Sequence, residues 1–165
     1  MIKVIGIDPG LADTGIGIVR GSGMKIRGYA YGNISTTKGA PMACRLERIY
    51  AGTRRVLAEE RPDLMVVEDV FSLEKYPKSG IVLGKVCGVL LLAGRQSGVA
   101  LTEMPVRQAK QILTGNGNAS KEQLERAVRS AIGAPAPIRP FHASDALGLA
   151  LIGLFRYQPS STVDP

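Results

Sequence analysis

The first 34 residues constrain the fold most, because they read as three strands in a row before any helix. Residues 2–8 form a short run that is apolar on both faces, the pattern of a central strand covered on both sides. Asp8-Pro9-Gly10 breaks it. Residues 15–20 and 24–34 follow as strands joined by a Gly-Ser-Gly turn, so the chain opens in antiparallel hairpin style. From there strands and helices alternate. Residues 41–60 are helical, with Met42, Leu46, Ile49, Tyr50, Thr53, Val56 and Leu57 on one apolar stripe. Arg45, Arg48, Arg54 and Arg55 lie largely off that stripe, and Pro62 ends the helix. A buried strand spans 64–68, a second helix 79–96 and a fifth strand 99–103. In the second helix Gly84 and Gly88 lie one turn apart and permit a close backbone approach. A short helix follows from Pro105 to Leu113. Ser120 and Gln123 form a capping box for a helix to Ile132, which Gly133 stops. After a proline-rich loop, an apolar helix covers 142–155. This order predicts an α/β fold: one mixed five-stranded sheet flanked by helices.

The chain has 165 residues, which is one domain. Residues 1–156 are expected to form it, with 157–165 a flexible tail. A chain of this size buries about 70% of its unfolded surface and needs no disulfide or metal staple. Cys44 and Cys87 show no zinc spacing and read as reduced packing residues in a cytoplasmic protein. No segment looks like a signal peptide. The most apolar stretch, 81–93, carries Lys85 and is shorter than a bilayer span. Lys and Arg total 21 against 14 acidic residues, a net charge of +7. Such a surface attracts polyanions, nucleic acid foremost. A ribosomal-type binding protein would share that charge, so it does not separate binding from catalysis.

Three carboxylates sit where structure alone does not ask for them. Asp8 ends one apolar strand, Glu68 ends another, and Asp145 interrupts the last apolar helix. Buried carboxylates are costly unless paired or bound to a cation. Strand ends and the inner face of a helix can bring all three together, and hard oxygen ligands suit Mg²⁺ or Mn²⁺. A basic protein with an acidic hole has the electrostatics of a metal-dependent nuclease. Asp69, next to Glu68, faces the other way along a strand and is the weaker candidate. Asp13 reads as turn chemistry. His142, the single histidine, precedes Asp145 by three residues and shares its helix face, as a ligand or proton carrier.

Asp8-Pro9-Gly10 with Thr14-Gly15, Val67-Glu68 with Val70-Phe71, Arg107-Gln108 with Lys110-Gln111, and Asp145-Ala146-Leu147 stand in the order and spacing of one family. The chain resembles the RuvC Holliday junction resolvases from about Val4 to Phe155. The resemblance implies an RNase H-like fold and a homodimer that nicks opposed strands of four-way junction DNA with Mg²⁺ or Mn²⁺, two ions per site. It implies that Asp8, Glu68 and Asp145 are the catalytic carboxylates. Lys110 and Lys121 match lysines acting on the DNA backbone, and Phe71 an aromatic that stacks on a junction base. It also implies work with the RuvA and RuvB branch-migration proteins in recombination and repair. His142 stands where many members carry a fourth aspartate, which bears on metal preference. Independently, Lys75, Lys78, Lys85, Arg107, Lys110 and Lys121 are basic candidates for DNA contact in the middle and later chain. Two competing readings are an actin-like nucleotide-binding protein, from the Asp8…Gly10…Thr14-Gly15 loop, and a junction-binding module without catalysis.

Overall fold

The computed structural model describes residues 1–69 and 77–158. The elements run β1 (Ile2–Asp8), β2 (Asp13–Ser22), β3 (Lys25–Ser35), α1 (Met42–Glu60), β4 (Leu64–Glu68), α2 (Pro77–Gln96), β5 (Ala100–Met104), α3 (Val106–Thr114), α4 (Lys121–Ile132) and α5 (Phe141–Arg156). One five-stranded sheet has the order β3-β2-β1-β4-β5. β1 pairs antiparallel with β2 and parallel with β4, so the sheet is mixed, as expected. β1 lies at its centre, and Val4, Ile5 and Ile7 are fully buried.

Each face of the sheet has its own core. On one face α5 lies against β1 and β2, with α3 and α4 packed on it; every residue from Ala143 to Leu154 is buried. Two strand glycines make this contact possible. A Cβ at Gly6 would fall 2.0 Å from Ala146 O, and one at Gly17 would fall 2.3 Å from Leu147 N. Helix and sheet therefore meet backbone to backbone. On the other face, Ile49, Leu57, Val86 and Leu90 from α1 and α2 cover Ile5, Ile7, Ile16, Ile18, Met65 and Val67. The expected α1 stripe holds, with Ile49, Thr53 and Leu57 at its buried centre.

Three expectations change. The hairpin strands are longer than their apolar runs, because edge pairing continues through Asp13 and Ser35. α2 starts at Pro77 and spans 20 residues, long and apolar enough by length and composition to cross a membrane; here Val86, Leu90 and Ala93 are sealed inside the fold. Its Gly84 and Gly88 face outward: a Cβ at either meets no atom within 4 Å among the described residues. Cys44 is exposed on α1 rather than packed, while Cys87 is half-buried. The capping box forms, Ser120 Oγ accepting from Gln123 N and Gln123 Oε1 from Ser120 N. Of the expected tail, Tyr157 and Gln158 are described.

Candidate active site

β1 and β4 are parallel neighbours that end at the same edge, so Asp8 and Glu68 emerge side by side. Asp8 pairs with Gly15 across the β1–β2 ladder. A Cβ at Gly15 would fall 2.1 Å from His142 O, so glycine there lets the first turn of α5 reach Asp8. The Asp8 carboxylate accepts a 2.5 Å hydrogen bond from His142 Nδ1. Asp145, one turn along, is buried, and its Oδ1 has no hydrogen-bond partner among the described residues.

The three carboxylates act on one another electrostatically. Burial, then the close carboxyl–carboxyl contact with Asp8 and the charges of Asp8 and Asp145, push Glu68 up to about 9. Burial and the Asp8 charge push Asp145 up to about 6. The hydrogen bond to Asp8 raises His142, against burial and the charge of Lys121. Lys110, half-buried on α3, opposes the rise of both Glu68 and Asp145. Lys121, the exposed first residue of α4, acts on Asp145 and His142. Both lysines therefore flank the acidic cluster.

Lys78 and Lys85 are exposed on α2, and Arg107 is exposed on α3 with its stem against Gly117. Phe71 and Lys75 lie outside the described residues. Asp13 is structural: it accepts from Asn33 Nδ2 at 2.7 Å and Ser35 Oγ at 2.5 Å, bonds that lower its pKa. Thr14 is buried and donates to Gly10 O at 2.8 Å. The loop proposed as an actin-like phosphate site is thus folded onto itself. Sequence reasoning missed the part Gly15 plays, and the Thr14-Gly15 pair was the available signal.

The family model for crossover junction endodeoxyribonuclease RuvC matches residues 4–153. The chain belongs to the RuvC family. The RuvC of Geobacter sulfurreducens is 39% identical over 150 residues, covering 91% of this chain and 90% of that protein. That of Syntrophomonas wolfei is 34% identical over 163 residues, covering 99% and 94%. The structure titled Thermus thermophilus RuvC in complex with Holliday junction substrate superposes with a TM-score of 0.86 at 33% identity, covering 94% of each chain. The yeast mitochondrial Holliday junction resolvase Ydc2, with a TM-score of 0.60 at 12% identity, shares the fold. The expected RNase H-like architecture holds.

RuvC nucleases depend on a divalent metal, and the donor set here fits one. Asp145 Oδ1 is buried and unpartnered among the described residues, and three carboxylates repel one another around it. A hard divalent cation held by Asp8, Glu68 and Asp145 would satisfy both conditions. Among the described residues no three such side chains form a ready cage, and His142 holds one oxygen of Asp8.

Proposed function

We propose that this protein resolves Holliday junctions by paired, symmetric nicks in opposed strands, through divalent-metal-dependent phosphodiester hydrolysis. The convergence of Asp8, Glu68 and Asp145 from β1, β4 and α5, with Asp145 Oδ1 left unpartnered, carries the reading. When bound, Mg²⁺ or Mn²⁺ supplies an activated water and stabilises the leaving oxygen. Asp8, Glu68 and Asp145 hold it, with two ions per site and His142 contributing through Asp8 or as a ligand. Lys110 and Lys121 hold the phosphates of the cleaved strand beside the acidic cluster, and Arg107, Lys78, Lys85 and Lys75 extend the basic surface. Phe71 stacks on a base at the crossover.

Symmetric nicking needs two sites related by a two-fold axis, hence a homodimer. The α2 face that carries Gly84 and Gly88, with Ile81 63% and Leu92 51% exposed, is our candidate interface. RuvA and RuvB are its partners in the cytoplasm, in recombination and repair. A synthetic four-way junction, with linear duplex of the same sequence as control, tests the reading. Mn²⁺-dependent paired nicks confined to the junction support it. Tight junction binding without nicking in either metal would favour an inactive binding module.

A further inference from the structure

β3 is an edge strand, and beside α1 its end opens into a cleft of about 700 Å³. Asn33, Ser35, Cys44, Glu47, Arg48 and Arg55 line it. Its floor is Ile34 packed on Gly52, where a Cβ would fall 2.9 Å from Ile34 Cδ1. Asn33 and Ser35 alternate with Ile34 along the strand, so the cleft wraps round the sheet edge from one face to the other. Nothing in the acidic site uses it. Arg48 Nε donates to Ser35 O at 2.5 Å, which fixes the guanidinium and leaves its two Nη groups without another hydrogen bond among the described residues. Arg45, next to it on α1, is pinned the same way through Nε to Thr36 Oγ1 at 2.7 Å. Arg55 is exposed and makes no salt bridge among the described residues. Glu47 is the one opposing charge in the lining.

The cleft lies two strands away from the acidic site along the sheet edge. Asp8 pairs with Gly15 and Gly15 with Asn33, two strand spacings or about 10 Å across the sheet. Ser35 is bonded to Asp13, and Asp13 in turn feels the charge of His142. Arg48 and Arg55 are seven residues apart, about 10 Å along the helix. A single phosphate cannot bridge that distance, whereas one DNA strand places a charge about every 3.4 Å of axis. We infer that the Arg48–Arg55 cleft holds the sugar–phosphate backbone of a junction arm, beginning about three nucleotides from the scissile phosphate. The inference rests on the proposed action on four-way junctions.

The test neutralises the contact from both sides. A junction with methylphosphonates about three to seven nucleotides from the nick site is compared with the unmodified junction. Wild type is expected to bind the neutralised junction roughly tenfold more weakly, while Arg48→Ala/Arg55→Ala binds both alike, with a salt slope less steep by about 2. Glu47→Gln is expected to tighten binding of the unmodified junction, a gain that misfolding cannot produce. Cys44 serves as a native reporter: junction DNA slows its alkylation, while half-buried Cys87, whose thiol burial pushes up, reacts more slowly and serves as the reference. Equal wild-type affinity for the two junctions overturns the inference, as does discrimination that survives in the double variant. Protection of Cys44 by inorganic phosphate as complete as by the junction overturns it too. Failure of wild type to nick any junction is a separate result and strikes the proposed function instead.

Discussion

Gly17 and Gly84 mark two helices with opposite relations to the rest of the chain. A Cβ at Gly17 would collide with the α5 backbone at Leu147, while one at Gly84 would meet nothing. α5 is buried from Ala143 to Leu154, whereas α2 leaves Ile81 and Leu92 in the open. The locked helix is the one that carries Asp145 and His142. Asp145 and His142 must meet Asp8 on a different element, and the glycine-lined seam fixes where they sit. The open helix carries an apolar face with no partner within the described residues, the state expected of an assembly surface.

Asp8→Asn breaks the locked side at its chemical end and has the largest expected effect. It keeps the shape of Asp8 and removes a charge from the proposed metal site. Nicking should fall by roughly a hundredfold or more, the several kcal/mol a metal contributes. Junction binding should hold or tighten, because less negative charge faces the phosphates. A gel assay of both on one junction decides it, and wild-type nicking by Asp8→Asn would refute the acidic-site reading. Next in size is the direct contrast of the two glycines. Gly17→Ala forces α5 off the sheet and should cost about 3 kcal/mol or more, read as a lower Tm and slower nicking. Compared at a dilution where wild type too is monomeric, Gly84→Arg should leave the melting temperature unchanged or slightly higher, since helix propensity favours Arg over Gly. In sedimentation it should be monomeric. A Gly84→Arg protein that remains a dimer would move the interface elsewhere.

The same contrast explains what the sequence disclosed. Apolar runs and caps gave every element within a few residues, because Ile2–Asp8, the α1 stripe and the Ser120/Gln123 box are local signals. Asp8, Glu68 and Asp145 stood out because each ends or interrupts an apolar run. The close approaches were not legible in the same way. Gly84 and Gly88 have the spacing of a packing motif and face outward, while Gly6, Gly15 and Gly17 carry the contact within the fold. Which glycine meets a helix depends on sheet topology, and no local pattern encodes that. The cleft at the edge of β3 was invisible for the same reason: Asn33 and Arg48 are brought together only by tertiary packing.

Glu68→Gln sharpens the comparison by separating function from stability. Burial and Asp8 raise Glu68 from 4.5 to about 9, so the folded protein keeps a proton that the unfolded chain releases. Stability therefore falls as pH rises from about 4.5 towards 9. Glutamine cannot ionise and escapes that loss. Without metal at pH 8, Glu68→Gln should be more stable than wild type, with the gap closing near pH 4.5. Added Mn²⁺ should raise the Tm of wild type and not of the variant. Paired melting curves at the two pH values, with and without metal, check the sign. A metal-free variant less stable than wild type at pH 8 would mean that Glu68 is held by a partner rather than strained by its neighbours.

The smallest expected effect concerns His142, which sits on the locked helix with its backbone wedged against Gly15. Replacing its side chain therefore changes the chemistry beside Asp8 while the helix stays in place. A site with Asp8, Glu68, Asp145 and an imidazole carries one negative charge fewer than a site with four carboxylates. Imidazole is also the softer donor. Mg²⁺ favours oxygen and sheds its waters reluctantly, and Mn²⁺ accepts nitrogen more readily. Wild type should nick several-fold faster with Mn²⁺ than with Mg²⁺, and His142→Asp should narrow that ratio. The hydrogen bond to Asp8 raises the imidazole above its ordinary 6.5, so the cationic form persists to higher pH than in a free histidine. Wild-type activity should consequently fall as pH drops through that raised value, and the same limb should be missing from His142→Asp. If His142 instead donates a proton or contacts phosphate, His142→Asp lowers the rate equally in both metals. Equal wild-type rates in Mg²⁺ and Mn²⁺ would count against the ligand role, and initial rates for the two proteins in the two metals across pH separate these outcomes.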